Sequence, residues 1–214
     1  MLGWKITGIV ATVVIIFSIP LYLVKEHWFP APVSMAGPQA SAVFAGSHKC
    51  KDCHQQEYTQ WQGSHHERAM AVAGEETVLG DFNNTNFKHL GVTSRFYRKN
   101  GKYYVYTQGL QGQLGEFEIT HTFGWYPLQQ YLVPFDGGRL QCLPIAWDDR
   151  EKRWYHLYPD NPLDPDDWLY WTNASQNWNG MCAECHSTDL RKNYAMDTHT
   201  YQTTWSEISV GCEA

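Results

Sequence analysis

The order of apolar and polar positions divides the chain into distinct stretches. Residues 6–24 carry no charged side chain. As a helix that run would measure roughly 28 Å, close to the apolar thickness of a bilayer. Trp4 and Trp28 flank it and Lys5 and Lys25 mark its ends, the pattern of an uncleaved transmembrane helix over residues 1–28. A cleaved leader fits less well, because Ala40-Ser41-Ala42 lies far downstream of the apolar run. Residues 29–45, rich in Pro, Ala, Ser and Gly, read as a linker.

Beyond the linker the periodicity is first helical. Tyr58, Trp61 and His65 recur at helical spacing, and Gly63 breaks the segment. From residue 92 the period becomes two. Residues 95–106 predict a strand, an Asn100-Gly101 turn and a second strand. Residues 116–123, 139–147 and 153–157 predict three more, the last two joined by a turn over 148–152. Residues 159–167 form a Pro/Asp loop, residues 189–200 are loop-like with His199 exposed, and Trp205-Ser206-Glu207-Ile208 reads as a helix. The segments are then 46–75, a β-rich insert at 92–158, and 168–214.

Cysteine and histidine change the picture most. Cys50-Lys51-Asp52-Cys53-His54 and Cys182-Ala183-Glu184-Cys185-His186 share the C-x-x-C-H spacing that attaches c-type haem. The two thiols can sit on one side of a helical turn and reach the two vinyl groups of one porphyrin. The following His then presents its imidazole to the iron as proximal ligand. Two C-x-x-C pairs also occur in zinc ribbons, but ribbon pairs lie much closer together and need no His after the second Cys. A redox-active thiol pair would call for a βαβ setting, which neither motif has. Cys142 lies in the apolar run 140–145 and reads as a buried free thiol. Gly211-Cys212-Glu213-Ala214 reads as the start of a third motif, so the chain would carry two complete haem c sites and one incomplete one.

The chain has ten His, two of them the proximal candidates His54 and His186. Six-coordinate haems need distal ligands, and His66, His156 and His121 are the candidates, the last two on predicted strands. Net charge is −6, which gives no basic surface for nucleic acid. Aromatic residues reach 15%, which suits a core that includes porphyrin faces as well as an ordinary aromatic core.

Several stretches resemble a known family. They are Trp61-Gln62-Gly63-Ser64-His65-His66, Leu79-Gly80-Asp81-Phe82-Asn83-Asn84, Thr122-Phe123-Gly124, residues 127–133, Gly137-Gly138-Arg139-Leu140-Gln141, Ile145-Ala146-Trp147-Asp148, residues 154–159, Gln176-Asn177-Trp178-Asn179 and residues 181–188. Over residues 46–214 the chain resembles multihaem c-type cytochromes that often carry tetratricopeptide repeats, with a haem domain similar to the tetrahaem cytochromes of nitrifiers. The resemblance implies that Trp-x-x-Ser-x-His, here Trp61, Ser64 and His66, supplies an axial ligand to a different haem. It also implies a completed third motif at Cys212 with further haems or repeats beyond.

The expected fold is therefore α+β: a multihaem cytochrome c domain of short haem-bearing helices and loops, with an inserted antiparallel β-rich middle and an N-terminal transmembrane helix. Haem attachment takes place outside the cytoplasmic membrane, so the expected location is a single-pass protein with its bulk in the periplasm. The expected function is electron transfer with redox partner proteins rather than enzymatic turnover, because bis-His iron has no open position. Two alternatives stand beside it. One is a multihaem oxidoreductase acting on a small nitrogen or sulfur species at a five-coordinate haem. The other is an assembly module whose haems act as internal staples.

Overall fold

A computed structural model describes residues 16–18 and 43–214. Two compact units divide the chain, residues 1–43 and 44–214, and the fold considered below is that of the second.

The unit is built mainly of antiparallel strands. Two short helices, α1 (Ser47–Cys50) and α2 (Gln55–Trp61), precede β1 (Met70–Val72). A four-stranded sheet then runs in the order β2 (Asn83–His89), β3 (Val92–Lys99), β4 (Lys102–Gln108), β5 (Leu114–Ile119). A second sheet has the order β1, β6 (His121–Phe123), β7 (Leu128–Phe135), β9 (Ile145–Asp148), β10 (Arg153–His156), with β8 (Arg139–Cys142) also paired to β7. The chain returns to helix in α3 (Trp178–Met181) and α4 (Ala183–His186) and ends with the small hairpin β11 (Tyr194–Ala195) and β12 (Thr200–Tyr201).

The Asn100-Gly101 turn joins β3 to β4 as expected, with φ of 53° and 76° at its two residues. Positive φ at both central positions is what a two-residue hairpin requires, and Asn-Gly tolerates it. The predicted strand 116–123 is two strands instead. Pairing changes at Thr120: β5 pairs with β4, and β6 pairs with β1 and β7.

Strand β7 organises the interior. Successive strand residues face opposite ways, so Tyr131 and Val133 enter one core and Leu132 another. The larger core is aromatic. The Phe82 ring meets Phe96, Tyr103, Tyr131 and Trp154 edge-on at 5.0–5.6 Å, the geometry that ring quadrupoles favour. Phe96 and Trp154 stack at 3.6 Å. The smaller core holds Met70, Leu132, Cys142, Trp178 and Ala183, so it lies directly under the second C-x-x-C-H motif.

Two expectations are corrected. The α+β class with haem-bearing helices gives way to a mostly β unit, because the longest described helix has seven residues. Helices this short do not sustain themselves in water, and each motif closes single turns held by contacts elsewhere. The N-terminal transmembrane helix and the single-pass membrane location are corrected too. Among the described residues no helix is long and apolar enough to cross a membrane. Of the predicted span 6–24, only 16–18 are described; the rest, and most of the linker, lies outside the described residues. Residues 205–208, read as helix, form none; Glu207 is instead bridged to Thr188.

Candidate haem site

In the first motif, the Cys53 and His54 amides both donate to the Cys50 carbonyl, at 3.3 and 2.8 Å. This turn sets Cys50 and His54 one helical step apart. Cys50 is half-buried, and Cys53 and His54 are exposed. Partial burial raises the Cys50 thiol above its ordinary value, and the Cys212 thiol beside it adds to the effect. Cys212 therefore meets the first motif, and its amide donates to Ser47 Oγ at 2.8 Å.

In the second motif, Asn177 caps α3 by accepting from the Gly180 amide at 2.9 Å. Met181 and Cys182 continue the turn through bonds to Asn177 O and Trp178 O. Cys182 packs against Cys142 in the smaller core. The Cys142 thiol donates to the Cys182 sulfur; the bond, then burial, pushes Cys142 up, and the same bond lowers Cys182. Cys185 is exposed. Burial lowers His186, which keeps its imidazole neutral and able to bind iron. Its Nδ1 is buried with no hydrogen-bond partner, and the Phe123 and His186 ring centres lie 4.5 Å apart in a T-shaped contact. A half-buried, neutral imidazole one position past an exposed thiol fits a covalent haem. The donor set does not fit a metal ion alone: among the described residues no group of three His, Cys, Asp or Glu side chains could hold one.

The last residues tie the two motifs together. Gly211 N donates to Thr188 Oγ1 at 2.8 Å, and the next amide, that of Cys212, donates to Ser47 Oγ. Standard backbone dimensions then keep Thr188 Oγ1 and Ser47 Oγ within about 9 Å of each other. Trp61 Nε1 donates to Val210 O at 2.8 Å, and Val210 N donates to His66 O at 3.2 Å. The segment that carries His66 is therefore held beside both motifs.

The distal candidates separate. His66 is exposed on this strap-held loop. His121 shares a face of β6 with Phe123, meets the Trp205 ring at 6.3 Å, and is lowered by burial. It thus reaches the surroundings of the second motif. His156 instead stacks on His89 at 4.2 Å, with its Nδ1 accepting from Tyr158 N at 3.1 Å. Burial, with His89 beside it, lowers His156 to about 4. The two imidazoles line a cavity of about 170 Å³ with Ser94, Thr107, Leu143 and Trp171. No residue of either motif lines it.

Sequence reading missed Ser47, Thr188, Glu207 and the contact of Cys142 with Cys182. Each acts through a partner distant in the chain, so no periodicity announces it. The available signal was local: Ser47 stands three residues before Cys50, a capping distance, and Thr188 stands two residues after His186.

A family model described as "Cytochrome c554 and c-prime" matches residues 49–90. No curated protein and no solved structure matches the chain. The family match begins one residue before Cys50 and covers the first motif, His66 and β2. It supports a c-type cytochrome with covalently bound haem c, working in electron transfer with redox partners.

Proposed function

We propose that the chain is a multihaem c-type cytochrome that relays single electrons between redox partner proteins. Cys50 and Cys53 hold one haem with His54 as proximal ligand; Cys182 and Cys185 hold a second with His186. His66 and His121 are assigned the distal positions, and Cys212 is assigned to a third attachment site beside the first. Haem, when bound, supplies an iron that alternates between ferric and ferrous states. The chain's own residues hold and orient it. The turn at Cys50 aims His54, burial keeps His186 neutral, and Phe123 packs against the His186 ring. Exclusion of water and axial-ligand identity are what tune a haem potential.

The observation that carries this reading is that the family match falls on a C-x-x-C-H motif whose spacing recurs at 182–186. The test is the absorption spectrum of dithionite-reduced protein with and without carbon monoxide. Sharp low-spin c-type bands unmoved by carbon monoxide are expected. A carbon monoxide shift would mean an open iron and would overturn electron transfer in favour of turnover at that haem. Absence of haem bands after expression with haem-attachment machinery would overturn both.

A further inference from the structure

We infer that Glu207 is a positioning residue that sets the spacing between the two haem-bearing segments, and that electron exchange between them depends on it. The inference rests on the electron-transfer reading above.

Glu207 reaches both segments at once. Its backbone pairs with Thr188, two residues past His186: Thr188 N donates to Glu207 O at 3.0 Å, and Ser206 N donates back to Thr188 O at 3.0 Å. Its side chain holds Ser47, three residues before Cys50. Oε1 accepts from Ser47 N at 3.0 Å, and Oε2 accepts from Ser47 Oγ at 2.6 Å. Ser47 is buried, so these bonds are shielded from water. Bonds to an ionised acceptor are the stronger class.

The arrangement requires a glycine. A Cβ at Gly211 would collide with the Glu207 carboxylate and with Ser47 Oγ. The chain therefore passes over the Glu207–Ser47 pair with no side chain in the way, and only then can Gly211 N reach Thr188 and Cys212 N reach Ser47. Two independent features, a bridging carboxylate and an unsubstituted crossing point, thus serve one contact. The helices that bear the motifs, Ser47–Cys50 and Ala183–His186, are single turns that cannot hold their own positions. Their separation is fixed by what joins them. Electron tunnelling weakens steeply with separation, so a loosened joint is felt there first.

The test uses the full haem-loaded chain and its Glu207→Ala, Glu207→Gln and Gly211→Ala variants. Three quantities are read: the haem absorption spectrum, the spin coupling between the two ferric haems, and amide exchange at residues 47–50. Glu207→Ala and Gly211→Ala should keep both haems attached with unchanged bands, lose the coupling, and exchange about ten- to a hundred-fold faster at 47–50. Glu207→Gln, which keeps one acceptor oxygen, should fall between, and it carries the test if the alanine variant does not fold. Faster exchange with wild-type coupling would make Glu207 merely structural and overturn the inference alone. Wild-type protein without haem would overturn the electron-transfer reading and the inference with it.

Discussion

The buried amide of Gln141 offers the most direct test of how the second motif is held. Gln141 is fully buried on β8. Its Nε2 donates to Trp171 O and to Asn173 O, both at 2.9 Å, and its Oε1 accepts from Asn177 Nδ2 at 3.1 Å. Asn177 caps α3 and touches Asn179, whose side chain accepts from Leu140 N at 2.7 Å and donates to Gly138 O and Thr203 Oγ1. One amide thus connects β8 to the segment that leads into Cys182. Gln141→Leu conserves most of the volume, so little of its effect comes from a cavity. It strands the Trp171 carbonyl, leaves the Asn173 carbonyl with only its 3.2 Å bond from Gln176 N, and leaves Asn177 Nδ2 with only its 3.3 Å bond to Asn179. At roughly 1 to 3 kcal/mol for the stranded carbonyl and about 0.5 to 1.5 kcal/mol for each of the two lost bonds, the loss is about 2 to 6 kcal/mol.

That is a large share of the ~5–15 kcal/mol that holds a typical domain folded, and it corresponds to a melting point lower by ~10 °C. Urea unfolding followed by tryptophan fluorescence, with the slope of the transition compared between variants, measures it. A midpoint shift worth less than ~1 kcal/mol would refute the reasoning, since an unfilled buried amide site costs at least that much. Amide exchange adds a spatial check. Gly180, capped by Asn177, should lose protection before any amide in the Asn100-Gly101 hairpin does.

Three further outcomes follow from the geometry. Gly80→Ala would put a Cβ 2.5 Å from Tyr131 Oη and 2.6 Å from Trp154 Cη2, and overpacking of this kind should cost about 1 to 3 kcal/mol in a thermal melt; an unchanged melt would show that the aromatic core yields there. His156, held near 4 against an ordinary 6.5, is neutral when folded and charges more readily when unfolded, so its contribution is intact above pH 6.5 and is lost as pH falls toward 4. In haem-free protein His156→Phe should flatten that slope by about 1 kcal/mol, a value reduced because the ring is partly solvated; equal slopes in wild type and variant would refute it. Cys142→Val removes the thiol that donates to Cys182, so iodoacetamide should label Cys182 more slowly in haem-free protein at pH 8; an unchanged labelling rate would show that Cys142 leaves Cys182 alone.

Local patterns were legible in the sequence to the extent that local forces fix them. The Asn100-Gly101 hairpin was read because two adjacent residues carry its turn geometry. The turn over 148–152 and the burial of Cys142 were read for similar reasons. Strand β2 was not read, because its sequence Asn-Asn-Thr-Asn-Phe-Lys-His has one apolar side chain, Phe87; only pairing with β3 makes it a strand. Residues 116–123 looked like one strand because alternation continues through Thr120, while the change of partner there depends on distant Met70–Val72 and Leu128–Phe135. Residues 205–208 have helical composition, yet Thr188 and Ser47 claim the polar groups of Glu207 and no helix forms there.

The same distinction governs the haem site. Covalent attachment is a local matter of two thiols and an imidazole within five residues, so Cys50, Cys53, His54, Cys182, Cys185 and His186 stand out from spacing alone. A distal ligand comes from wherever the fold brings an imidazole, and the sequence could only count candidates. His121 stands on the side of the second motif because alternation along β6 puts it on the Phe123 face and Trp205 returns to meet it. His156 has the same strand setting but stacks on His89. Two histidines alike in local sequence thus differ by which core their strand faces, and that is decided by β7. Its alternation sends Leu132 to the core beneath Cys182, and Tyr131 and Val133 to the aromatic core away from it. The strand that divides the interior therefore also divides the histidines, so a distal ligand to the haem proposed at Cys182 and Cys185 is to be sought on the Leu132 side of β7.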